Sequence, residues 1–382
     1  MRCKLSDICS YRKGKIEVKR LNNITYISTE NMLPNKGGIT EASSLPSIVL
    51  TQEYRKGDVL VSNIRPYFKK IWQAKYDGGC SNDVLVFTPN PMTDKDFLYY
   101  VLANDEFFLY SMATSKGTKM PRGDKGSIMQ YEIPDIGLDR QRKIASVLKS
   151  LDGKIQLNIA INNNLEQQTQ AYFDELFVVN ADPNWPECTL ADIGSVVAGG
   201  TPSKSKLEYY ADQGIAWITP KDLSGDKSKF ISHGENDISE LGFSKSSATK
   251  MPAGTILFSS RAPIGYIAIA QNEVTTNQGF KSVIPNKNIG TAYVYFLLKN
   301  LLPTIEGMAS GSTFKEISGT AMKSVPTVMP DADIIQLFSD FCEPVFKEQE
   351  VLEAENKHLS ALRDSLLPKL MSGEIDVSEL DL

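Results

Sequence analysis

The chain contains four short sequence patterns that occur twice in the same order, and this repeat restricts its fold more than any other feature. The four pairs are CKLSDI and CTLADI at 3–8 and 188–193, YIS and WIT at 26–28 and 217–219, GDVLVSNIRP and GTILFSSRAP at 57–66 and 254–263, and the segments around Pro134 and Pro326. Because collinear matches separated by 185 to 197 residues rarely arise by chance, they predict two domains with the same fold.

Each half of the chain begins with a segment of mixed α and β character. Runs such as DVLVS at 58–62 and TILFS at 255–259 are bounded by Gly, Pro, Asn and Ser, which is typical of strands, and residues 94–113 have a helical pattern. The predicted fold class is α+β, with two similar mixed α/β domains, each followed by a long helix. The predicted boundaries are 1–138 for the first domain, 139–180 for the first helical region, 181–330 for the second domain, and 331–382 for the second helical region with an acidic tail.

Both helical regions have apolar residues at alternating steps of four and three, which is the spacing of a coiled-coil seam. The seam is predicted at Ile144, Leu148, Leu151, Ile155 and Leu165 in the first region, and at Leu352, Leu359, Leu362 and Leu366 in the second. Asn158 and Asn162 interrupt the first seam, and burying them would fix its register at a cost in stability. In the second region the same alternation passes through Phe338, Phe341, Val345, Glu348 and Glu355.

Proline is expected to limit the second helix, because Pro344 and Pro368 interrupt its pattern. The first helix would then have about 38 residues and a length of about 57 Å, and the second about 24 residues and about 36 Å. Since neither helix can bury its apolar stripe alone, we predict an antiparallel coiled coil with the two domains at its ends, related by a pseudo-twofold repeat. The alternative is that both are ordinary core helices of a compact protein.

The overall composition excludes several classes of protein. The five cysteines are scattered without a CxxC pair and there are only two histidines, which argues against disulfide scaffolds, zinc sites and most hydrolases that depend on histidine. No apolar segment is long enough for a membrane helix, and we expect a reduced, cytoplasmic protein. The net charge of −5 arises in the last region, where 331–382 carries 4 basic and 13 acidic groups, so the first domain, with 19 basic and 15 acidic groups, can present a basic face.

No sequence motif for catalysis is present. A phosphate-binding loop of the GxxxxGK[ST] type is absent, and GDKGS at 123–127 lacks its spacing. Glu355 and Lys357 resemble part of a nuclease site, but both lie in the predicted seam region, where a helix surface explains them. The chain is therefore predicted not to be an enzyme and to bind no metal or cofactor of its own.

The predicted turns of each domain contain side chains suited to DNA, since Arg and Lys bind guanine edges and phosphates whereas Asn and Gln bind adenine edges. In the first half the candidates are Asn63, Arg65, Lys69, Lys70, Lys116, Thr118, Lys119 and Arg122. In the second half they are Lys204, Lys206, Lys221, Ser259, Ser260, Arg261, Asn277, Gln278, Ser312, Thr313 and Lys315. A single polar loop of this kind is usually only a surface loop, but the repetition at matched places favours a binding role.

Several of these segments resemble one known family, the specificity (S) subunits of type I restriction-modification systems. The resemblance rests on 198–225 (AGGTPSKSKLEYYADQGIAWITPKDLSG), 254–286, 362–375 (LRDSLLPKLMSGEI) and 140–167 (RQRKIASVLKSLDGKIQLNIAINNNLEQ). It implies two target recognition domains, each recognising half of a split double-stranded DNA site, separated by an antiparallel coiled coil. It also implies that two methyltransferase (M) subunits bind the helices, that a restriction/translocase (R) subunit joins them, and that S-adenosylmethionine is the cofactor of the methyltransferase.

The leading hypothesis is therefore a DNA sequence-specificity subunit that has no catalytic activity, recognises a two-part asymmetric site and scaffolds its partners. GGTPS and TNQGFKS, at 199–203 and 276–282, are clear only in the second half, so the two domains are expected to recognise different sequences. One alternative is a structural adaptor with paired ligand-binding globules on a coiled-coil rod. Another is a fused restriction-modification enzyme, which the missing catalytic motifs oppose.

Overall fold

The computed structural model describes residues 2–225, 228–311 and 315–377. The chain divides into two compact units: the first comprises Met1–Gln156 with Lys357–Leu382, and the second comprises Leu157–Asn356. Each unit contains one mixed α/β domain and parts of two long helices. In the described part of the chain, no helix combines the length and the apolar character that crossing a membrane requires.

The domain of the first unit has ten strands and four short helices. The strands are β1 Arg2–Lys4, β2 Cys9–Tyr11, β3 Lys15–Glu17, β4 Tyr26–Ile27, β5 Leu50–Tyr54, β6 Val59–Ser62, β7 Ile71–Gln73, β8 Gly78–Cys80, β9 Val84–Pro89 and β10 Glu132–Pro134. The helices are α1 Leu5–Ile8, α2 Lys95–Ala103, α3 Asp105–Ala113 and α4 Lys125–Ile128. They surround a sheet of order β2-β9-β6-β7 and a second sheet of order β3-β5-β8-β4, while β1 pairs with β10.

The domain of the second unit, which follows the helix α5 Leu138–Asp174, repeats this plan, with eleven strands and six helices among its described residues. The strands are β11 Glu187–Thr189, β12 Gly194–Ala198, β13 Tyr210–Ala211, β14 Trp217–Ile218, β15 Phe230–Ile231, β16 Asp237–Ile238, β17 Ile256–Ser260, β18 Ile264–Ala270, β19 Thr275–Thr276, β20 Lys281–Pro285 and β21 Pro326–Val328. The helices are α6 Leu190–Ile193, α7 Pro220–Gly225, α8 Glu240–Ser244, α9 Thr291–Asn300, α10 Leu302–Met308 and α11 Gly319–Lys323. The main sheet has the order β12-β20-β17-β18-β15.

The two domains share their fold down to individual hydrogen bonds. The amide of Lys4 donates to the carboxylate of Asp7 at 2.8 Å, and the amide of Thr189 donates to Asp192 at the same distance, so both copies start their first helix with the same capping arrangement. The short strands within the second match pair in parallel in both copies, Tyr26 with Gly79 and Trp217 with Thr275. The predicted duplication is confirmed.

The fourth sequence match differs from the structural equivalence by two residues. Cys3 pairs with Ile133 in the first domain, and the equivalent Cys188 pairs with Thr327 in the second. Pro134 is therefore equivalent to Val328 and not to Pro326. Backbone hydrogen bonds to the first strand determine this register, and a shared proline does not.

The second long helix is longer than predicted. It is continuous as α12 Ala332–Ser372 and has 41 residues, whereas α5 has 37. Pro344 and Pro368 both lie inside α12, so the prediction that they limit the helix is wrong. Buried neighbours such as Cys342 and Leu367 anchor the helix beside each proline, and this packing compensates for the lost backbone hydrogen bond.

Within each unit, the segments of α5 and α12 run antiparallel. In the second unit the ring of Tyr172 lies 6.0 Å from that of Phe338, and Asn158, earlier in α5, donates to Glu355, later in α12. In the first unit Arg363 of α12 binds Asp152 of α5 at 2.7 Å. The predicted antiparallel pairing of the two helices is confirmed inside each unit.

The predicted seam residues differ in their burial. Ile144, Leu148, Ile155 and Leu352 are buried, Leu151, Leu165, Leu359 and Leu366 are half-buried, and Leu362 is 37% exposed. On α12 the polar contacts with α5 are shifted by one residue at three positions, because Gln349, Asn356 and Arg363 bond to α5 beside the predicted Glu348, Glu355 and Leu362. The predicted Phe341 and Glu355 also contact α5, at Tyr172 and Asn158.

Polar bonding explains this shift on α12. Gln349 donates to the backbone oxygen of Asn162 at 3.3 Å, and the side chain of Asn356 accepts from Asn158 at 3.0 Å. Asn158 is fully buried, so its polar partners must lie in the seam with it. A pattern of alternating four- and three-residue steps selects the residue one position earlier and misses these polar positions.

A buried charge cluster in the second unit joins its mixed α/β domain to both of its helix segments. Lys229 donates to Glu166 of α5 at 2.8 Å and to Gln349 of α12 at 2.9 Å, and its ammonium lies 3.7 Å from the ring centre of Phe346. Burial lowers the pKa of Lys229 to about 8, while the neighbouring Glu166 opposes this shift. Glu166 therefore stabilises the charged form of a lysine that is almost excluded from water.

Candidate nucleic-acid interface

The first unit contains two adjacent loops, 63–70 and 114–124, which we call the first loop pair. The amide of Arg65 donates to the backbone oxygen of Pro121 at 2.8 Å, and the amide of Gly123 donates to that of Asn63 at 3.2 Å. Ile64 and Arg122 form an isolated β-bridge. Two of the loops singled out in the first half of the sequence are thus brought together at the end of β6.

A short turn gives the first loop pair an aromatic tip. The turn Pro66–Phe68 is flanked by Arg65 and Lys69, both in the left-handed conformation with φ of 50°. Tyr67 and Phe68 are 48% and 37% exposed, and their ring centres lie 4.7 Å apart. Left-handed backbone is unfavourable for side chains of this size, so the tip is held in place by its surroundings.

Carboxylates hold three cations of the first loop pair, namely Lys69, Lys116 and Arg122. Asp105 binds both Lys69, at 2.7 Å, and Lys36, at 2.9 Å, and these contacts lower the pKa of its carboxyl although burial alone would raise it. The candidate residues in the loop 114–124 are exposed. Lys116 binds Asp124 and Arg122 binds Asp83, and Thr118 and Lys119 lie on the surface between them. Exposed ion pairs of this kind are weak, so a phosphate can displace them.

The remaining candidates of the first loop pair are less accessible. Lys70 donates to the backbone oxygen of Thr29 at 2.6 Å, and burial lowers its pKa. Asn63 is only 9% exposed, and its side-chain oxygen has no hydrogen-bond partner in the described residues. A Cβ on Gly123 would lie 2.8 Å from that oxygen, so glycine is required for the close approach of the two loops. Arg65 is half-buried.

The second unit has an equivalent arrangement at the end of β17, formed by 259–263 with 310–311 and 315–317, which we call the second loop pair. The amide of Ile317 donates to the backbone oxygen of Ser260 at 3.1 Å, and Arg261 forms an isolated bridge with Glu316. By these bonds Ser260 is equivalent to Asn63, and Arg261 to Ile64. Ser312 and Thr313, which the sequence selected in this loop, lie outside the described residues.

Two predicted contact residues of the second loop pair lie inside the protein. The hydroxyl of Ser259 donates to the backbone oxygen of Pro263 and accepts from the amide of Tyr266, both at 2.8 Å. The hydroxyl of Ser260 donates to the backbone oxygen of Gly279 at 3.0 Å. Because both side chains are fully buried and bonded, they shape the turn and present no hydroxyl to a ligand.

Arg261 and Lys315 are accessible candidates of the second loop pair. Arg261 binds Glu316 at 3.2 Å, and the same carboxylate lies 3.7 Å from the ammonium of Lys281. Lys315 is exposed. The second loop pair therefore holds a cluster of cations around one carboxylate.

Neighbouring segments extend this surface. The amide of Gly200 donates to the backbone oxygen of Thr276, which places the loop with Lys204 and Lys206 beside Asn277 and Gln278. Lys204, Lys206 and Gln278 are exposed, while the side chain of Asn277 accepts from the amide of Gly279 and stabilises the turn. Lys221, on α7, is exposed and binds Glu235.

Sequence patterns missed the carboxylates and one lysine of these surfaces. Asp83, Asp105 and Glu316 each contact a predicted cation, and Lys36 contacts Asp105, yet none of them shares a motif with that cation. Only the folded chain brings these residues together, so no local signal could have identified them. Within the described ranges, no group of three or more His, Cys, Asp or Glu side chains is placed to hold a metal ion.

Comparisons with known proteins agree with this architecture. The sequence matches the family described as "Type I restriction modification DNA specificity domain" twice, at 1–167 and at 183–360. The specificity subunit of the type I restriction enzyme MjaIX from Methanocaldococcus jannaschii is 38% identical over 190 residues, which cover 47% of this chain but only 44% of that protein. The HindI specificity subunit of Haemophilus influenzae is 25% identical, and the alignment covers 97% of this chain and 98% of that protein.

A solved structure supports the fold independently. The crystal structure of a type I restriction-modification S subunit from M. genitalium matches with a TM-score of 0.60 and 18% identity over 99% of this chain and 96% of that chain. Two similar domains of mixed α and β structure, each joined to a long helix, therefore define a specificity subunit fold. The chain belongs to the family of type I restriction-modification DNA specificity proteins and carries two copies of its domain. This assignment confirms the resemblance and does not support the adaptor alternative.

Proposed function

We propose that each loop pair recognises one half of a split double-stranded DNA site. The observation that carries this proposal is the recurrence of the same two-loop arrangement, with exposed cations, at the end of equivalent strands β6 and β17. Exposed Arg and Lys side chains can bind phosphates and guanine edges, and different residues at equivalent positions can select different bases. Arg65 and Arg261 are not equivalent, so we expect the two half-sites to differ.

The proposed partners follow from the family assignment. Two methyltransferase subunits would bind α5 and α12, methylate adenine at the recognised site and carry S-adenosylmethionine as their own cofactor. A restriction/translocase subunit would join this complex in the cytoplasm. This chain would supply sequence recognition and a scaffold, and no catalytic group.

Salt titration tests whether the chain binds DNA through phosphates. We expect the logarithm of the binding constant for a mixed-sequence duplex to fall linearly with the logarithm of the salt concentration, because bound phosphates release counterions. The measurement is fluorescence anisotropy of labelled duplex with the full chain. An affinity that does not change with salt would contradict DNA recognition by these surfaces.

Alanine substitution of two arginines tests the loop pairs. We expect R65A and R261A to weaken binding by about 1–3 kcal/mol if the guanidinium contacts a base, or to reduce the salt slope by about 1 if it contacts a phosphate. The matched control is K75A, because Lys75 is exposed beyond the end of β7 that lies away from the first loop pair. If K75A weakens binding as much as R65A does, the loop pair has no special role.

The aromatic tip of the first loop pair should contribute an apolar contact. We expect the double variant Y67A/F68A to weaken DNA binding by about 1–3 kcal/mol per stacked ring while leaving the salt slope unchanged, since stacking on bases or sugars involves no phosphate. The equivalent segment of the second unit begins β18 at Ile264 and has no such turn. A loss of affinity accompanied by a lower salt slope would show that the variant disturbs the neighbouring lysines instead.

A further inference from the structure

Equivalent positions in the two loop pairs carry opposite charges. In the first unit Arg122 forms β-bridges with Ile64 and Lys116, and in the second unit Glu316 forms the same bridges with Arg261 and Ser310. Arg122 and Glu316 therefore occupy one structural position. The difference between them is a change from a cation to a carboxylate on the surface proposed to meet DNA.

Each unit nevertheless retains a contact between a carboxylate and an arginine at this place. In the first unit Asp83 binds Arg122 at 3.2 Å. The amides of Asn63 and Ser260 donate to the backbone oxygens of Asp83 and Gly279, so the second unit has glycine where the first has this aspartate. In the second unit the carboxylate is that of Glu316, which occupies the position of Arg122. The arginine is Arg261, which directly follows strand β17.

Glu316 binds two cations with different exposure. The guanidinium of Arg261, whose side chain is 39% exposed, lies 3.2 Å from one carboxylate oxygen, and the ammonium of Lys281, whose side chain is 11% exposed, lies 3.7 Å from the other. An arginine that is bound on one edge keeps its other donors free but loses most of its rotational freedom. Base recognition needs such a fixed orientation, whereas contact with a phosphate does not.

We infer that Glu316 is a positioning residue that orients Arg261 toward a base edge and keeps Lys281 away from phosphates. This inference rests on the proposed DNA recognition by the second loop pair. Glu316 does not bind a phosphate, because its charge has the same sign, and it acts through the two cations that it holds. Glu316 therefore lowers the affinity for DNA of any sequence and raises the selectivity between sequences.

The substitution E316Q tests this inference in the full chain. We expect the variant to bind a mixed-sequence duplex library more tightly, with a salt slope steeper by about 1–2 because Arg261 and Lys281 become free to bind phosphates. Sequencing of the bound fraction should show a loss of base preference in one half-site. The control is E187Q, which removes the same charge from the exposed strand β11 and should change neither slope nor preference.

Two further variants separate positioning from a structural role. E316D keeps the charge and should retain the wild-type base preference. R261K keeps the cation but loses the planar fork, and should lose the preference without changing the salt slope. An unchanged slope and preference in E316Q, or an unchanged preference in R261K, would overturn the inference. If the wild-type chain itself shows no salt-dependent binding, the proposed function fails instead.

Discussion

Replacing Phe338 with alanine is expected to lower the free energy of unfolding of the second unit by about 4 kcal/mol. The side chain is fully buried at the start of α12. Its ring lies 5.5–5.8 Å from three others, which belong to Phe173, Phe177 and Phe296. Truncation therefore removes several aromatic contacts and leaves a cavity that rigid neighbours cannot fill.

Phe341 on the same helix is the matched control for this prediction. It is 39% exposed and has its closest ring contact with Tyr172, at 4.7 Å between centres. We expect F341A to cost about 1 kcal/mol. Urea denaturation measures the loss of unfolding free energy in both variants. Amide hydrogen exchange assigns that loss to peptides of the second unit. Equal costs for the two variants would contradict the seam assignment on α12.

Replacing Glu166 with leucine is expected to destabilise the second unit by about 3 kcal/mol, because it leaves the buried ammonium of Lys229 without its carboxylate. Lys299, which also binds Glu166, is more exposed and can be solvated by water. Without Glu166 the folded state releases the proton of Lys229 at a lower pH than the folded wild type does. The difference in free energy of unfolding between the wild type and E166L should therefore shrink as the pH rises toward 8. Burial lowers the pKa of this lysine to about 8 in the wild type.

Two variants complete the test of this charge cluster. E343L removes an exposed carboxylate from α12 and should change stability by less than about 0.5 kcal/mol. The double variant E166L/K229M should recover most of the loss, because a well-packed apolar pair can replace a buried ion pair. A double variant as unstable as E166L would show that the damage comes from packing of the leucine and not from an unpaired lysine.

The repeat was the most reliable guide to the fold. The match of CKLSDI with CTLADI corresponds to equivalent capping bonds at Asp7 and Asp192, which join residues close in sequence. The match between Pro134 and Pro326 failed because strand register depends on backbone pairing with a strand more than a hundred residues away. Sequence similarity at a proline contains no information about that pairing.

The helices show where periodicity succeeds and where it fails. On α5 the predicted seam positions Ile144, Leu148 and Ile155 are buried together with Asn158, because there the apolar series is regular. On α12 the polar residues Gln349 and Arg363 face α5, and the apolar pattern led instead to Leu362. Polar residues occupy these positions because their bonding partners lie on the facing helix, and a single helix does not reveal them.

The candidate interface could be predicted only as a set of loops. Composition identified the segments with Arg122 and Arg261, and the fold places each of them beside another segment that the sequence selected. Composition could not separate exposed side chains from buried ones, so Ser259 and Ser260 were chosen for their chemistry although both are bonded inside the turn. Burial depends on the whole domain, and no short motif encodes it.

The central claim is that the two loop pairs recognise different halves of one DNA site. It is tested most directly by mapping methylated adenines in cells that express the chain with its methyltransferase subunit, for wild type, R122A and R261A. We predict a two-part site in which R122A relaxes base selection in one half only and R261A in the other half only. A single undivided site, or two variants that change the same half, would contradict the account.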